Sequence, residues 1–216
     1  MWQSRSATGR FAESVCRTAD IRWRAPSPGT TMGGMAGKTY PDMWVDPEDD
    51  PRSQESLLGD ERTTLLDYLV NYRLTLELKC SGLTAEQLAT RSVPPSTMSL
   101  LGLVRHLAQV EQTWWRRVMA GEDTPFLYRR ADDRDADFTG AVGEDAVVAE
   151  AWARWREETA NGDAFVAAAE SLDLVSLDPT NPINLREVLV HLIEEYARHC
   201  GHADLLRECV DGATGQ

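Results

Sequence analysis

The chain has 216 residues, with 22 Lys+Arg against 35 Asp+Glu and a formal net charge of −13. That balance argues against a non-specific nucleic-acid binder, which needs a basic face to displace counterions, and against docking on an anionic membrane surface. With 42% hydrophobic and 26% charged residues, the chain can bury a core and is not disordered as a whole.

Residues 1–54 differ from the rest. They hold seven basic and seven acidic residues and five of the ten prolines, so the whole net charge sits in 55–216. Arg5, Arg10, Arg17, Arg22 and Arg24 are not followed by an apolar run, which excludes a secretory signal. No sustained periodicity appears, and Gly33-Gly34 and Asp49-Asp50-Pro51 are breakers. A disordered or poorly ordered extension over 1–54 is expected, rather than a transit peptide. An over-extended reading frame, with the true start at Met43 or nearby, stays open. Cys16, Cys80, Cys200 and Cys209 form no C-x-x-C pair, which favours a reducing cytoplasm over a disulfide framework. No apolar run reaches the roughly 18–20 residues that span a bilayer.

From about residue 57 the pattern is helical. Leu65, Leu69, Tyr72 and Leu76 recur on one face, and Gly82 is the expected stop. Thr84-Ala-Glu-Gln87 reads as a capping box for a short helix ended by Pro94-Pro95. A second long helix is expected from Ser96–Ser99 to Met119, with Leu103, Leu107, Val110, Trp114 and Val118 facing inward. Residues 122–143 are Asp- and Gly-rich without period, a long acidic connection of the kind that often carries function. A third helix is expected over 144–170, with Val148, Trp152, Trp155, Thr159 and Val166 on one side. After the turn at Asp178–Pro182, Asn184-x-x-Glu187 opens a fourth helix to about Val210, with Val188, Leu192, Leu206 and Val210 inside. Four amphipathic helices and no convincing strand predict an all-α four-helix bundle over 55–216, with its long connection between helices two and three.

Three of the four histidines, His191, His199 and His202, lie in the fourth helix, and His106 lies in the second. At about 100° per residue, with Val188 at zero, Glu195 falls near −20°, His199 near +20° and His202 near −40°. These polar groups occupy the stripe where leucines belong. His106 sits on the edge of the inward stripe of its own helix. Buried imidazoles and a carboxylate need compensation, and one divalent cation satisfies them together. Glu195 and His199, four residues apart, can chelate one ion, and His106 can close the site from the facing helix. Three protein ligands with open water positions make a catalytic rather than a structural site. A single inward His is more often a satisfied core residue, and Glu-x-x-x-His can be a simple hydrogen-bonded pair; the accumulation of such residues outweighs both readings. Alternative triads with His191 or His202 stay open, although His191 reads better as a supporting or packing residue. There is no H-E-x-x-H motif, and a di-iron bundle needs two Glu-x-x-His pairs, whereas Arg198 stands three residues after Glu195.

Ser99-Leu-Leu-Gly-Leu-Val-Arg-His106-Leu and His191-Leu-Ile-Glu-Glu-Tyr-Ala-Arg-His199-Cys-Gly-His-Ala-Asp-Leu-Leu-Arg207 resemble the DinB-like superfamily. The similarity is greatest to its actinobacterial branch related to mycothiol-dependent maleylpyruvate isomerase, and it covers roughly 57–216. The resemblance implies an up-down-down-up bundle with one metal. It implies ligands at His106, Glu195 and His199, Glu being the middle ligand in the thiol-dependent branch. Gln commonly follows the last ligand by three residues in the superfamily; here that position is His202, compatible with a supporting role.

The resemblance further implies a metal-dependent S-transferase or isomerase that activates a low-molecular-weight thiol of mycothiol type. Its partners would be that thiol and a small electrophile, with no nucleic acid and no membrane, and a homodimer is left open. His202 is the candidate for orienting a ligand or moving a proton, and Arg198 for pairing an anionic substrate at the rim. Tyr128, Arg129 and Arg130 are further rim candidates. Two imidazoles and a carboxylate suit zinc, which is favoured, and also nickel, iron and manganese. Cys200 reads as a packing cysteine, and Gly201 as a point of close approach. The rival functions are a metal-dependent hydrolase on the same triad and a non-catalytic metal-binding stress protein.

Overall fold

A computed structural model describes residues 43–46, 49–52, 57–180 and 182–215. The assignment of 1–54 as an extension, and Cys16 with it, otherwise lies outside the described residues. Within that stretch Trp44 is buried, with Lys79 Nζ 4.2 Å from its ring centroid.

Helices α1 (Glu61–Cys80), α3 (Leu100–Gln112), α5 (Asp145–Ala168) and α6 (Leu185–Asp211) are the four long elements. The short α2 (Ala85–Ala89) and α4 (Ala136–Thr139) lie in connections. The described residues form no named strand, only an isolated bridge between Val175 and Asn184. The fold is therefore the all-α bundle expected. No helix among the described residues is long and apolar enough to cross a membrane.

Side chains set the helix starts. Asp60 accepts from the Thr63 N–H at 2.8 Å, so α1 begins at Glu61 rather than near 57. The capping box is present: Gln87 N–H donates to Thr84 Oγ1 and Thr84 N–H to Gln87 Oε1. Ser99 caps α3 through the Gly102 N–H, and Asn184 caps α6 through the Glu187 N–H. Each acceptor satisfies an amide that the first helical turn leaves without a partner.

The helices pack in pairs, α1 along α6 and α5 along α3, with α3 also against α6. Helix α3 is enclosed almost all round, with Leu100 to Arg105, Leu107 to Gln109, Glu111 and Gln112 buried. Beyond Gln112 it continues as a π-helical run, Thr113–Met119, in which the Ala120 N–H reaches back to the Trp115 carbonyl. This widening corrects the expected face. Leu107, Glu111, Trp115 and Met119, spaced by four, are buried, whereas Trp114 and Val118 are half-buried. On α5, Trp155, Thr159 and Val166 are buried as expected, and Val148 and Trp152 pack at the margin.

The face of α6 also differs from the expectation. Its buried arc includes Val188, Leu189, Leu192, Tyr196, Cys200, Ala203, Leu206 and Arg207. At about 100° per residue this arc is centred roughly 60° from Val188, because α6 is covered by both α1 and α3. Glu195 and His202 therefore stand on one edge of the arc, half-buried, rather than at its centre. Gly201 is exposed, and a Cβ there would meet nothing within 4 Å among the described residues, so packing of another helix does not explain it.

Candidate metal centre

The histidine of α3 and two residues of α6 meet where these helices pack. Ligand atoms of His106, Glu195 and His199 all lie within 4.8 Å of one another. Glu195 Oε2 is 4.0 Å from His106 Nε2 and 3.4 Å from His199 Nε2. Two atoms each about 2.1 Å from a tetrahedral zinc stand about 3.4 Å apart, so this spacing is near that of a coordination shell. His199 is nearly buried, whereas the side chains of His106 and Glu195 are 26% and 27% exposed. The group is thus anchored in the core and open on one side.

Both imidazoles turn Nε2 toward Glu195 and are held through Nδ1. His106 Nδ1 lies 2.8 Å from Asp137 Oδ2, and the ring stacks on Phe138 with centroids 5.3 Å apart. His199 Nδ1 lies 3.3 Å from His202 Nδ1. Glu195 directs its second oxygen to His191 Nε2 at 3.4 Å, and the His191 ring rests against Trp114 at 4.6 Å. His191 therefore has the supporting and packing place expected of it. Two nitrogens and a carboxylate oxygen converging from rings fixed at their far nitrogens form a donor set that fits one divalent cation.

The electrostatics are those of a tight cluster. Burial works against a charge on His106, but hydrogen bonds to Asp137 and Glu195 outweigh it and raise the imidazole to about 9. Hydrogen bonds from His106 and then His199 hold the Glu195 carboxyl well below the usual range. Burial, followed by the charges of His199 and Arg198, lowers His202 and favours its neutral form.

The remaining candidates separate. Arg198 is exposed and forms no ion pair among the described residues. Tyr128 is buried, with its ring under the Arg105 guanidinium and its hydroxyl on Glu150. Arg129 is exposed beside Phe126, and Arg130 pairs with Asp132 and Asp133 in solvent. Glu194, beside Glu195 in sequence, is exposed.

Asp137 was not singled out by the sequence. It is one acid in an Asp-rich connection, 31 residues from its partner, and no local spacing marks it.

Cys200 packs with Sγ 3.5 Å from the Tyr72 carbonyl, and burial, reinforced by Asp204, raises its thiol to about 12. Burial raises Cys80 likewise to about 12. An alkylating reagent at neutral pH is expected to modify the exposed Cys209 and to spare Cys80 and Cys200 until the protein unfolds. Peptide mass spectrometry reads this, and rapid modification of native Cys200 would overturn its reading as a packing cysteine.

A helical bundle with a His–Glu–His group gathered from two facing helices defines a DinB-like protein. The chain belongs to the mycothiol S-transferase family, whose model matches residues 64–212. Among solved structures, the fold is similar to a crystal structure of a conserved protein from Enterococcus faecalis. That match has a TM-score of 0.51 at 17% identity and covers 71% of this chain and 99% of the other. Comparison with curated proteins finds no match.

Proposed function

We propose that this protein is a metal-dependent S-transferase or isomerase that presents a low-molecular-weight thiol of mycothiol type, as thiolate, to a small electrophile in the cytoplasm. The observation that carries this reading is the convergence of His106 Nε2, Glu195 Oε2 and His199 Nε2 at an edge of the bundle open to solvent. Membership of an S-transferase family supports the choice of thiol chemistry. A divalent cation held there, zinc by preference, would lower the pKa of a bound thiol and make a nucleophile at neutral pH.

The chain's own groups then have distinct parts. His106, Glu195 and His199 hold the ion. His202 accepts the Nδ1–H of His199 and fixes that ring, in keeping with its lowered pKa. Arg198, exposed one residue before His199, is placed for an anionic group on an incoming substrate rather than for the reacting atoms. The bundle over 55–216 carries the activity, and 1–54 is an extension whose Trp44 packs against Lys79 of the bundle.

Elemental analysis of the purified protein, followed by thiol titration of the loaded and chelator-stripped forms, tests the proposal. One divalent ion per chain and thiol binding only by the loaded form are expected. Absence of metal, or equal consumption of electrophile with and without thiol, would overturn it.

A further inference from the structure

Asp137 enters the site from outside the long helices, and the chain has built a dock to bring it there. Arg105, the residue before His106, donates from Nε to the Asp137 carbonyl at 2.8 Å and from Nη2 to the Ala136 carbonyl at 3.0 Å. Gly102, one turn earlier on α3, receives the Phe138 ring; a Cβ at 102 would stand 2.7 Å from Phe138 Cδ1. Gly140 closes the dock against Arg105, and a Cβ there would stand 2.8 Å from Nη2. The same Phe138 ring stacks on His106.

Within this turn the Asp137 carboxylate is divided between two partners. Oδ1 accepts from the Phe138 N–H at 3.0 Å, and Oδ2 faces His106 Nδ1 at 2.8 Å. The other acids nearby do not share this position. Asp132 and Asp135 are exposed, and Asp133 binds the Thr139 hydroxyl and the Asp135 N–H. Asp137 is the buried one.

Building on the metal-site reading above, we infer that Asp137 is a positioning residue that keeps the His106 proton on Nδ1 and so offers the Nε2 lone pair to the ion shared with Glu195 and His199. A carboxylate only accepts hydrogen bonds, so the ring nitrogen facing it must carry hydrogen. A neutral imidazole then has one free lone pair, on Nε2, the atom turned toward Glu195. His199 lacks this arrangement, since its Nδ1 faces another imidazole. The two histidine ligands are therefore oriented by different devices, and the acidic connection is a working part of the site through Asp137. A purely structural tie would fasten the connection to α3 equally well but would leave metal affinity unchanged.

Zinc affinity of the full chain, measured by competition with a chromophoric chelator, separates the two roles. Asp137→Ala is expected to bind zinc about 10–100-fold more weakly, the usual cost of losing such a partner. Asp137→Asn, whose amide oxygen still accepts from Nδ1–H, should recover most of that loss. Metal-free thermal unfolding of each variant shows that the bundle is intact. Nitrogen NMR of the zinc-loaded wild type checks the ligating atom on which the inference rests: His106 should carry its proton on Nδ1. Affinity of Asp137→Ala within twofold of wild type overturns the inference and leaves the metal site standing, whereas a proton on Nε2 overturns both, since that nitrogen could then hold no ion. A wild type that takes up no zinc overturns the site reading itself and the inference with it.

Discussion

Replacing Glu195 and His199 together by alanine is expected to abolish both divalent-metal binding and thiol-dependent turnover. These residues lie one turn apart on α6 and supply two of the three donor atoms. Four-ligand zinc sites bind with about 10–16 kcal/mol, roughly 3 kcal/mol per ligand, so losing two ligands should weaken binding by on the order of 10⁴-fold. The fold should survive. Glu195 is half-buried, and alanine is the best helix former. Removing the pair also frees His106 from its contact with the Glu195 carboxylate. The expected result is a folded, metal-free bundle with thiol-transfer activity at background, read by metal analysis, thermal unfolding and thiol consumption on one preparation. Thiol transfer at the wild-type rate in the metal-free double variant would remove the metal from the mechanism.

The four long helices and the Glu195–His199 pair are legible in the sequence for the same reason: both are local. Capping residues such as Thr84, Ser99 and Asn184 act within three residues, and Glu195 and His199 lie a single turn apart. What the sequence hides depends on the packing partner. The arc of α6 cannot be centred until α1 and α3 both lie against it, so Glu195 reads as central when it stands at an accessible edge. The π-helical run shifts the phase of α3, moving Trp115 inward and Trp114 outward against His191, and a 3.6-residue period does not anticipate that. Asp137 is invisible because its meaning comes from Arg105, Gly102 and Phe138 holding a distant turn in place.

A second hidden feature has the largest expected effect on stability. Glu111 is fully buried on the inward face of α3, where a leucine would satisfy the pattern. Its carboxylate accepts from Arg73 Nε at 2.8 Å and Nη2 at 2.9 Å, from Trp115 Nε1 at 2.6 Å and from the Tyr196 hydroxyl at 2.8 Å. Trp155 Nε1 donates in turn to the Tyr196 oxygen at 2.8 Å. Burial opposes the charge on Arg73, but Glu111 outweighs it and raises the guanidinium above its ordinary value. One acid therefore joins α1, α3, α5 and α6.

Glu111→Ala leaves a buried guanidinium with Asp163 as its remaining carboxylate partner, and an indole and a phenol without their acceptor. Breaking a buried pair from one side costs about 3–5 kcal/mol. In a chain of this size each kcal/mol shifts Tm by about 2–4 °C, so a fall of roughly 6–20 °C is expected. Replacing Arg73 and Glu111 together by leucine should cost less than Glu111→Ala alone, because no charge is left stranded. Tyr196 adjoins Glu195 on α6, yet metal affinity of the folded fraction should stay near wild type, since the network touches none of the three donor atoms. Calorimetry of the three proteins checks the order. A Glu111→Ala variant within about 1 kcal/mol of wild type would show that water or neighbouring groups take the place of the carboxylate, and that the network does not hold the four helices together.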